Sequence, residues 1–218
     1  MQGHIETFFS EADREAIRAA TTAAERNTAG EIVVYVVERC DLYPELAWKG
    51  ALIGGALGAM CAALGAWWFG GWGAADHLGI LIGLQVGLVL GWVASRFEPI
   101  ARRLIGDELL KSRVEGRAAE AFLEEQVFAT RERSGVLIFV ALFEHRVLIL
   151  ADQGIDACVE ESAWAAISNE VAAGVRRRKP AAALIDAVQR CADLLVEHGM
   201  SPKDSKNELS NEPRFRRE

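Results

Sequence analysis

The sequence predicts an α/β fold, a small mixed β-sheet flanked by helices in a three-layer sandwich, interrupted by a two-helix transmembrane hairpin. Stretches rich in β-branched and leucine residues, Glu31–Glu38 and Gly135–Asp156, are typical of buried strands. Segments with apolar residues at helical spacing precede and follow them. Two long apolar runs lie within Ala51–Ser95, inside an otherwise soluble sequence.

These two runs are long enough to cross a membrane. Ala51–Trp72 contains 22 residues and Leu78–Ser95 contains 18, and neither carries a charged side chain. A helix needs roughly 20 apolar residues to cross about 30 Å of hydrocarbon. We therefore expect two spans, the second only just long enough, within a hairpin formed by residues 47–96.

The flanking charges predict the orientation of the hairpin, because short loops rich in Lys and Arg stay in the cytoplasm. The connecting turn Gly71–His77 contains neither Lys nor Arg. Basic residues lie on the other side of both spans: Arg39, Lys49, Arg96, Arg102, Arg103, Lys111 and Arg113. We expect a two-pass membrane protein with both termini in the cytoplasm.

Small residues recur at every fourth position in both spans. The first series is Gly50, Gly54, Gly58, Ala62, Ala66 and Gly70, and the second is Ala75, Gly79, Gly83, Gly87, Gly91 and Ser95. Such stripes let helix backbones approach closely in lipid. We expect Gly54, Gly58, Gly79, Gly83, Gly87 and Gly91 to pack, either against the other span or against another protomer.

The N-terminal part of the chain supplies one helix and one strand. Ser10 and Asp13 match a capping box, and a helix is expected from about Glu11 to Asn27. Glu31–Glu38 is then the first core strand. After the hairpin, apolar residues four apart predict a continuous helix over Pro99–Phe128, whose first part forms a stalk.

The C-terminal part begins with a β-hairpin. Gly135–Asp156 contains two apolar strands around the polar turn Glu144, His145 and Arg146. Two helices follow, striped by Trp164, Ile167, Val171 and Val175 and by Leu184, Val188, Cys191 and Leu195, with Pro180 opening the second. Residues 199–218 are polar and charged, and we expect a disordered tail there.

Composition excludes some classes of function. A net charge of −7 argues against a nucleic-acid partner, which requires a basic face. The N-terminus carries no secretory signal pattern. The four cysteines lie at no metal-ligand spacing, and no Ser-His-Asp set or phosphate-binding glycine motif occurs. We therefore expect reduced cytoplasmic thiols.

The segment TAGEIVVYV, the run SGVLIFVALFEHRVLILADQGI and the two following helices resemble the TPM domain. This family occurs in bacterial membrane proteins and in thylakoid-lumen proteins of photosystem II repair. The resemblance covers residues 6–198 except the hairpin, so that residues 1–46 and 97–198 together form the domain. It implies a small α/β sandwich at the bacterial inner membrane. Some members of the family bind divalent metal or hydrolyse phosphate esters, whereas others are accessory or assembly factors.

Strand order places the motif residues at one edge of the sheet. A crossover through Pro99–Phe128 makes the first two strands parallel, and the β-hairpin adds an antiparallel third strand. Glu31 and Asp152 then share an open edge with Gly154 and Asp156, which form a candidate ligand loop. The opposite edge, which holds Glu38 and Glu144, is where the hairpin departs.

Two readings of this open edge stay possible. Glu31 and Asp152 could hold Mg²⁺ or Ca²⁺, because these cations prefer oxygen ligands, and the metal would then position a phosphate ester. Alternatively, the two acids cap loops and helix starts, and Gly154 supplies a positive φ. Whether the protein is an enzyme is left open by the sequence.

A basic run, Arg176, Arg177, Arg178 and Lys179, ends the first C-terminal helix. Such residues favour a helix C-terminus and are usually solvated, but they could also contact anionic lipid. The expected function is a non-catalytic accessory or interaction module at the cytoplasmic face of the inner membrane, with a metal-dependent phosphatase as the alternative. The expected partners are the lipid bilayer and either other membrane proteins or a second copy joined through the Gly-rich spans.

Overall fold

A computed structural model describes residues 6, 8–69, 74–156, 158–200 and 209–216, with the side chains of residues 74–76 and 156 excepted. The helices are α1 Glu11–Glu25, α2 Glu45–Trp68, α3 Ala74–Ala94, α4 Glu98–Ile105, α5 Asp107–Glu124, α6 Gln153–Asp156, α7 Glu161–Arg176 and α8 Pro180–Glu197. The strands are β1 Glu31–Val37, β2 Gly135–Ala141, β3 Arg146–Ala151 and β4 Arg214–Arg216. The chain divides into two compact units, Met1–Asp41 with Lys111–Glu218 and Leu42–Leu110.

The first unit contains a mixed sheet with the strand order β3-β2-β1-β4. β1 pairs in parallel with β2, with Glu31 opposite Gly135, and β2 pairs antiparallel with β3, with Val136 opposite Ala151. Both pairings confirm the predicted topology. Every residue of β1 and β2 is buried, as expected for strands that are covered on both faces.

Helices cover both faces of this sheet, which confirms the three-layer α/β sandwich. The alternation of side chains along a strand sends Ile32, Val34 and Val36 to one face and Val33, Tyr35 and Val37 to the other. The first face packs against α1, α7 and α8, and the second packs against the part of α5 that holds Val114 and Ala118.

Local signals placed the helices of this unit correctly. The Ser10 side chain accepts from the backbone N–H of Asp13, and the Asp13 carboxylate accepts from the backbone N–H of Ser10, so the capping box is formed. The predicted stripes of α7 and α8 are buried, and Pro180 begins α8. The predicted continuous helix over Pro99–Phe128 is wrong, since Gly106 at φ +85° separates α4 from α5 and α5 ends at Glu124.

The C-terminal segment differs from the expected disordered tail, because Arg214–Arg216 form β4, parallel to β1. The Phe215 ring lies 5.1 Å from the Phe9 ring, between centroids, and the Arg14 guanidinium lies 4.6 Å from the Phe215 centroid. Arg214 also pairs with Glu125 at 2.8 Å. The composition of the tail gives no sign of this strand, because its order depends on the packing of the Phe215 ring and on the ion pairs of Arg214 and Arg216 with Glu125. Residues 201–208 and 217–218 lie outside the described part of the tail.

The second unit contains the helical hairpin α2 and α3. Both helices are long and apolar enough to span a membrane, with mean hydropathies of 1.6 over Glu45–Trp68 and 1.8 over His77–Ala94. Their backbones meet at glycines: a Cβ on Gly54 would collide with the Gly87 carbonyl oxygen, and one on Gly58 with the Gly83 carbonyl oxygen. Gly91 approaches the Gly50 oxygen in the same way.

Gly79 does not share this packing, although the sequence pattern included it. A Cβ on Gly79 would meet nothing within 4 Å among the described atoms. The close contact therefore runs from the Gly50–Gly91 level to the Gly58–Gly83 level. The four-residue repeat of small residues extends beyond the region in which the two helices are in contact. The repeat is a property of the sequence and does not report the distance between the helix axes.

Candidate functional site: an acidic edge of the sheet

The first unit brings the predicted acids to one edge of the sheet. Glu31 begins β1 opposite Gly135, the first residue of β2. Asp152 follows β3, and its N–H donates to the Gly135 carbonyl at 2.9 Å. Both side chains are buried, with 7% of Glu31 and 4% of Asp152 exposed. The edge thus carries two buried acids on either side of the start of β2.

Asp152 is held by contacts within its own loop. Its Oδ1 accepts from the Gln153 N–H at 2.8 Å, and its carbonyl accepts from the Ile155 N–H at 2.9 Å, so Asp152 begins the short helix α6. Its Oδ2 lies 3.2 Å from the Nε of Arg133. This carboxylate therefore lies beside a guanidinium, although Oδ2 accepts no hydrogen bond from the described residues, and its Oδ1 binds the first N–H of α6.

Glycine is needed at position 154 because the backbone is closely packed there, not because of an unusual backbone conformation. The alternative in which Gly154 supplies a positive φ is wrong, because the positive-φ glycines of the described chain are Gly106 and Gly199. A Cβ on Gly154 would lie 2.5 Å from the Glu132 carbonyl oxygen and 2.7 Å from that of Arg133. Its N–H donates to the Arg133 carbonyl at 3.1 Å. The side chain of Asp156, the other predicted member of this loop, lies outside the described part.

Glu31 has an acidic neighbour that the sequence did not single out, Glu25 at the end of α1. The backbone N–H of Ile32 donates to Glu25 Oε1 at 2.9 Å, and the N–H of Leu209 donates to Glu31 Oε2 at 3.4 Å. Burial, together with the nearby charge of Glu31, raises the pKa of Glu25 to about 8, although the Ile32 N–H and the Asn211 amide act in the opposite direction. Near neutral pH Glu25 is therefore mostly protonated.

Glu25 was missed because a glutamate in the last turn of a helix carries no motif. The available signal was the short connection from α1 to β1, which returns the chain to the sheet within five residues and brings the helix end beside the strand start. Two acids on either side of such a short connection are candidates for close neighbours that affect each other's pKa. The spacing from Glu25 to Glu31 could therefore have suggested that these two side chains interact.

The donor set at this edge does not fit a resident divalent cation as it stands. Among the described residues, no group of three or more His, Cys, Asp and Glu side chains could hold a metal ion. Asp152 is engaged by Arg133, and Glu31 accepts from Leu209. Mg²⁺ and Ca²⁺ need six or more oxygen ligands, so any cation here would depend largely on water.

The opposite edge holds the other predicted residues. His145 adopts φ +52° in the turn between β2 and β3, and Arg146 begins β3, so both belong to the hairpin. Glu144 is buried and its Oε1 accepts from the Cys40 N–H at 2.9 Å. Arg176, Arg177, Arg178 and Lys179 are exposed at the turn from α7 to α8, where Arg178 adopts φ +58°.

Comparison with known families finds a match for part of the chain. Residues 104–194 match the family model described as the TPM domain. These residues form a TPM domain. They contain β2, β3, α7 and most of α8, whereas α1, β1 and β4 lie outside the match.

A solved structure has the same fold. The NMR structure of the BA42 protein from the psychrophilic bacterium Bizionia argentinensis superposes with a TM-score of 0.60 at 19% sequence identity, over 99% of both chains. This likeness supports the α/β sandwich of the TPM domain and does not extend to activity. No curated protein matches the chain significantly in sequence.

Proposed function

We propose that this TPM-domain protein is anchored in the bacterial inner membrane by α2 and α3 and acts as a non-catalytic accessory or interaction module at the cytoplasmic face. The observation that carries the proposal is the apolar hairpin inserted directly after β1. Only 11% and 6% of the two apolar helical windows is buried within the protein. Large outward-facing side chains such as Leu57 and Leu64, each more than half exposed, would then contact lipid rather than water.

The orientation of the anchor is tested with topology reporters. Basic residues flank both ends of the hairpin away from its turn, which supports cytoplasmic termini. A reporter that works only in the cytoplasm should be active when it is fused after Glu218. A reporter that works only in the periplasm should be active when it is inserted at Ala74. A periplasmic signal from the Glu218 fusion contradicts the proposed orientation, and recovery of the full chain in the soluble fraction contradicts anchoring itself.

The basic run supports contact between the TPM domain and anionic lipid. The end of α8 lies at the acidic edge, because the Ala29 N–H donates to the Met200 carbonyl at 3.0 Å. An 18-residue helix is about 27 Å long, slightly more than a seven-residue strand, so the start of α8 and the Arg176–Lys179 turn lie at the opposite edge. The chain also leaves this unit at that edge, after Asp41.

Replacing the four basic residues by Gln tests this contact. Each basic residue near an anionic surface contributes about 1 kcal/mol, so the quadruple variant should bind anionic vesicles far more weakly. The assay uses the TPM unit with residues 42–110 replaced by a short linker, because the anchor would mask peripheral binding. Neutral vesicles provide the control, and equal binding of variant and wild type to anionic vesicles would remove the lipid role.

The alternative function is a divalent-metal-dependent phosphatase. The acids Glu25 and Glu31 favour it, because a bound cation would stabilise the ionised form of Glu25, whose pKa is raised to about 8. The test is a thermal melt of the full chain with and without millimolar Mg²⁺ or Ca²⁺, followed by phosphate-ester hydrolysis. A ligand at 100 times its dissociation constant stabilises the folded state by about 2.7 kcal/mol.

Two variants of the acidic edge and one control make this test specific. A metal-dependent rise in melting temperature that both Glu31→Gln and Asp152→Asn abolish would support the phosphatase. A rise that Glu161→Gln, a change of an exposed acid on α7, also abolishes would indicate non-specific ion binding. The absence of any rise together with the absence of hydrolysis would favour the interaction module.

A further inference from the structure

One edge of the TPM sheet has no strand beside it. In the β2–β3 pairing, the N–H of Asp152 donates to the Gly135 carbonyl. From this bond and the register, every second residue of β3 directs its backbone groups toward β2 and the residues between direct theirs away. The backbone N–H and C=O groups of Val147, Ile149 and Ala151 therefore point away from β2. In the described part of the chain, no strand pairs with this side of β3.

This edge also lacks the features that normally keep an edge strand single. The other edge ends in β4, which is three residues long and carries two arginines. β3 instead presents five apolar residues in succession, Val147–Ala151, with no charge or proline among them. Val147, Ile149 and Ala151 face the α7 side, and Leu148 and Leu150 face the α5 side. Long apolar edges of this kind attract another strand.

A groove beside β3 supports an occupant. It encloses about 590 Å³ and is lined by β3 and by Trp164, Ala165 and Ser168 of α7. The groove leaves room beside the unpaired edge of β3 for the side chains of a further strand.

We propose that β3 pairs antiparallel with β3 of a second copy of this chain, about a two-fold axis through Ile149. In this register Ile149 faces Ile149 of the second copy, Val147 faces Ala151, and Leu148 faces Leu150. Every pair along Val147–Ala151 is apolar, and at both ends the backbone of Arg146 in one copy comes opposite that of Asp152 in the other, whose carboxylate is buried beside Arg133 of its own chain. The strand is thus complementary to itself in size and polarity, as a symmetric interface requires.

Neighbouring registers do not have this complementarity. A shift of two residues in one direction places Arg146 opposite Leu150, and a shift in the other direction places Asp152 opposite Leu148. Both arrangements set a charge against an apolar residue, which costs free energy at a partly buried edge. The two-fold register is therefore favoured, and the dimer is specific to this pairing. This pairing of β3 strands does not require membrane anchoring.

Cysteine pairing tests the register in the full-length chain purified in detergent. The exposed Cys61 and Cys158 are first replaced by Ala. In the proposed pairing, Leu148 of one copy and Leu150 of the other form a non-hydrogen-bonded pair. Their Cα atoms are then about 4.5 Å apart, a distance that a disulfide can bridge. Coexpressed Leu148→Cys and Leu150→Cys chains should form a disulfide-linked dimer after mild oxidation, at least fivefold more than either variant expressed by itself.

The outcomes separate the possibilities. Equal cross-linking in the single variants and the coexpressed pair contradicts the two-fold register. No cross-linking in any sample contradicts the dimer and leaves a peptide from another protein as the occupant of the groove. As a second measurement, Leu148→Lys should shift the detergent-solubilised chain from dimer to monomer, as seen in the molar mass from sedimentation. Leu123→Lys, on the exposed surface of α5, should leave this molar mass unchanged. Equal masses for the two variants would also overturn the proposal.

Discussion

At the scale of single residues, the acidic edge of the TPM domain is shaped by the neighbours of each carboxylate. Glu31 and Asp152 are similarly buried, yet Asp152 faces Arg133 and Glu31 faces the acid Glu25. The acid whose pKa is raised is consequently Glu25, which belongs to no sequence motif. Its raised pKa has a direct consequence for stability.

Glu25→Gln should stabilise the protein at alkaline pH. Because the folded pKa of Glu25 is about 8, above its usual value of 4.5, wild-type stability falls as pH rises from about 4.5 to 8 and this loss is complete above pH 8. Gln stays neutral and can still accept from the Ile32 N–H. We expect a gain on the order of 3 kcal/mol at pH 9 and little change at pH 4.5, measured by denaturant unfolding. The same gain at both pH values would contradict the shifted pKa.

Gly154→Ala should destabilise the protein because the added methyl group meets two carbonyl oxygens of the loop that holds Arg133. The expected cost is about 2 kcal/mol, seen as a lower melting temperature. The matched control is Gly116→Ala, since Gly116 lies exposed on α5 with nothing within 4 Å of a Cβ. That change should raise stability by up to about 1 kcal/mol. Equal effects at the two positions would show that the loop is not tightly packed.

At the scale of elements, β4 and the helical hairpin illustrate opposite sources of order. β4 has little apolar content and depends on contacts to distant residues, mainly Phe9 and Glu125. The hairpin is strongly apolar and depends on the close approach of its two backbones. Each element can be tested by removing the contact that the structure assigns to it.

Phe215→Ala should release β4 from the edge of β1. The Phe215 ring contacts Phe9 and the Arg14 guanidinium, and its loss should cost about 1–2 kcal/mol. Because the Glu38 N–H donates to the Arg216 carbonyl at 3.2 Å, exchange of this amide with solvent should accelerate at least tenfold. The Val33 amide, further along β1, serves as the internal control. Unchanged exchange at Glu38 would show that β4 does not need the ring.

Gly87→Leu should disrupt the packing of α2 against α3, whereas Gly79→Leu should be tolerated. A Cβ on Gly87 would collide with the Gly54 carbonyl oxygen, while one on Gly79 would meet nothing. We expect Gly87→Leu to destabilise the full chain in detergent by about 1–3 kcal/mol, measured by thermal unfolding. Similar melting temperatures for the two variants would mean that the hairpin does not depend on glycine contacts.

Over the full length of the chain, the second unit interrupts the first unit in sequence, between Asp41 and Lys111. The Asp41 carboxylate lies 3.0 Å from the Arg113 Nε, so the two chain segments that lead into and out of the second unit are close together. Both hydrophobic clusters of the sandwich are built from residues outside Leu42–Leu110. Insertions tolerate removal when their ends meet in this way.

Replacing Leu42–Leu110 with a Gly/Ser linker of about six residues should give a soluble protein. Such a linker reaches up to roughly 20 Å, enough to join neighbouring segments. We expect a single cooperative thermal transition and loss of the protein from the membrane fraction. Aggregation or a gradual transition would show that the TPM domain requires the hairpin to fold.

From the amino-acid sequence we could predict the three-layer sandwich, the pairing of β1, β2 and β3, the capping box of α1 and two helices able to span a membrane. These features follow from local periodicity and composition, which act over a few residues. Other features emerge only in the folded chain: the break at Gly106, the docking of β4, the limits of the glycine contact and the proximity of Glu25 to Glu31. Each of these depends on residues that are distant in sequence and close in space, and no local pattern reports that distance.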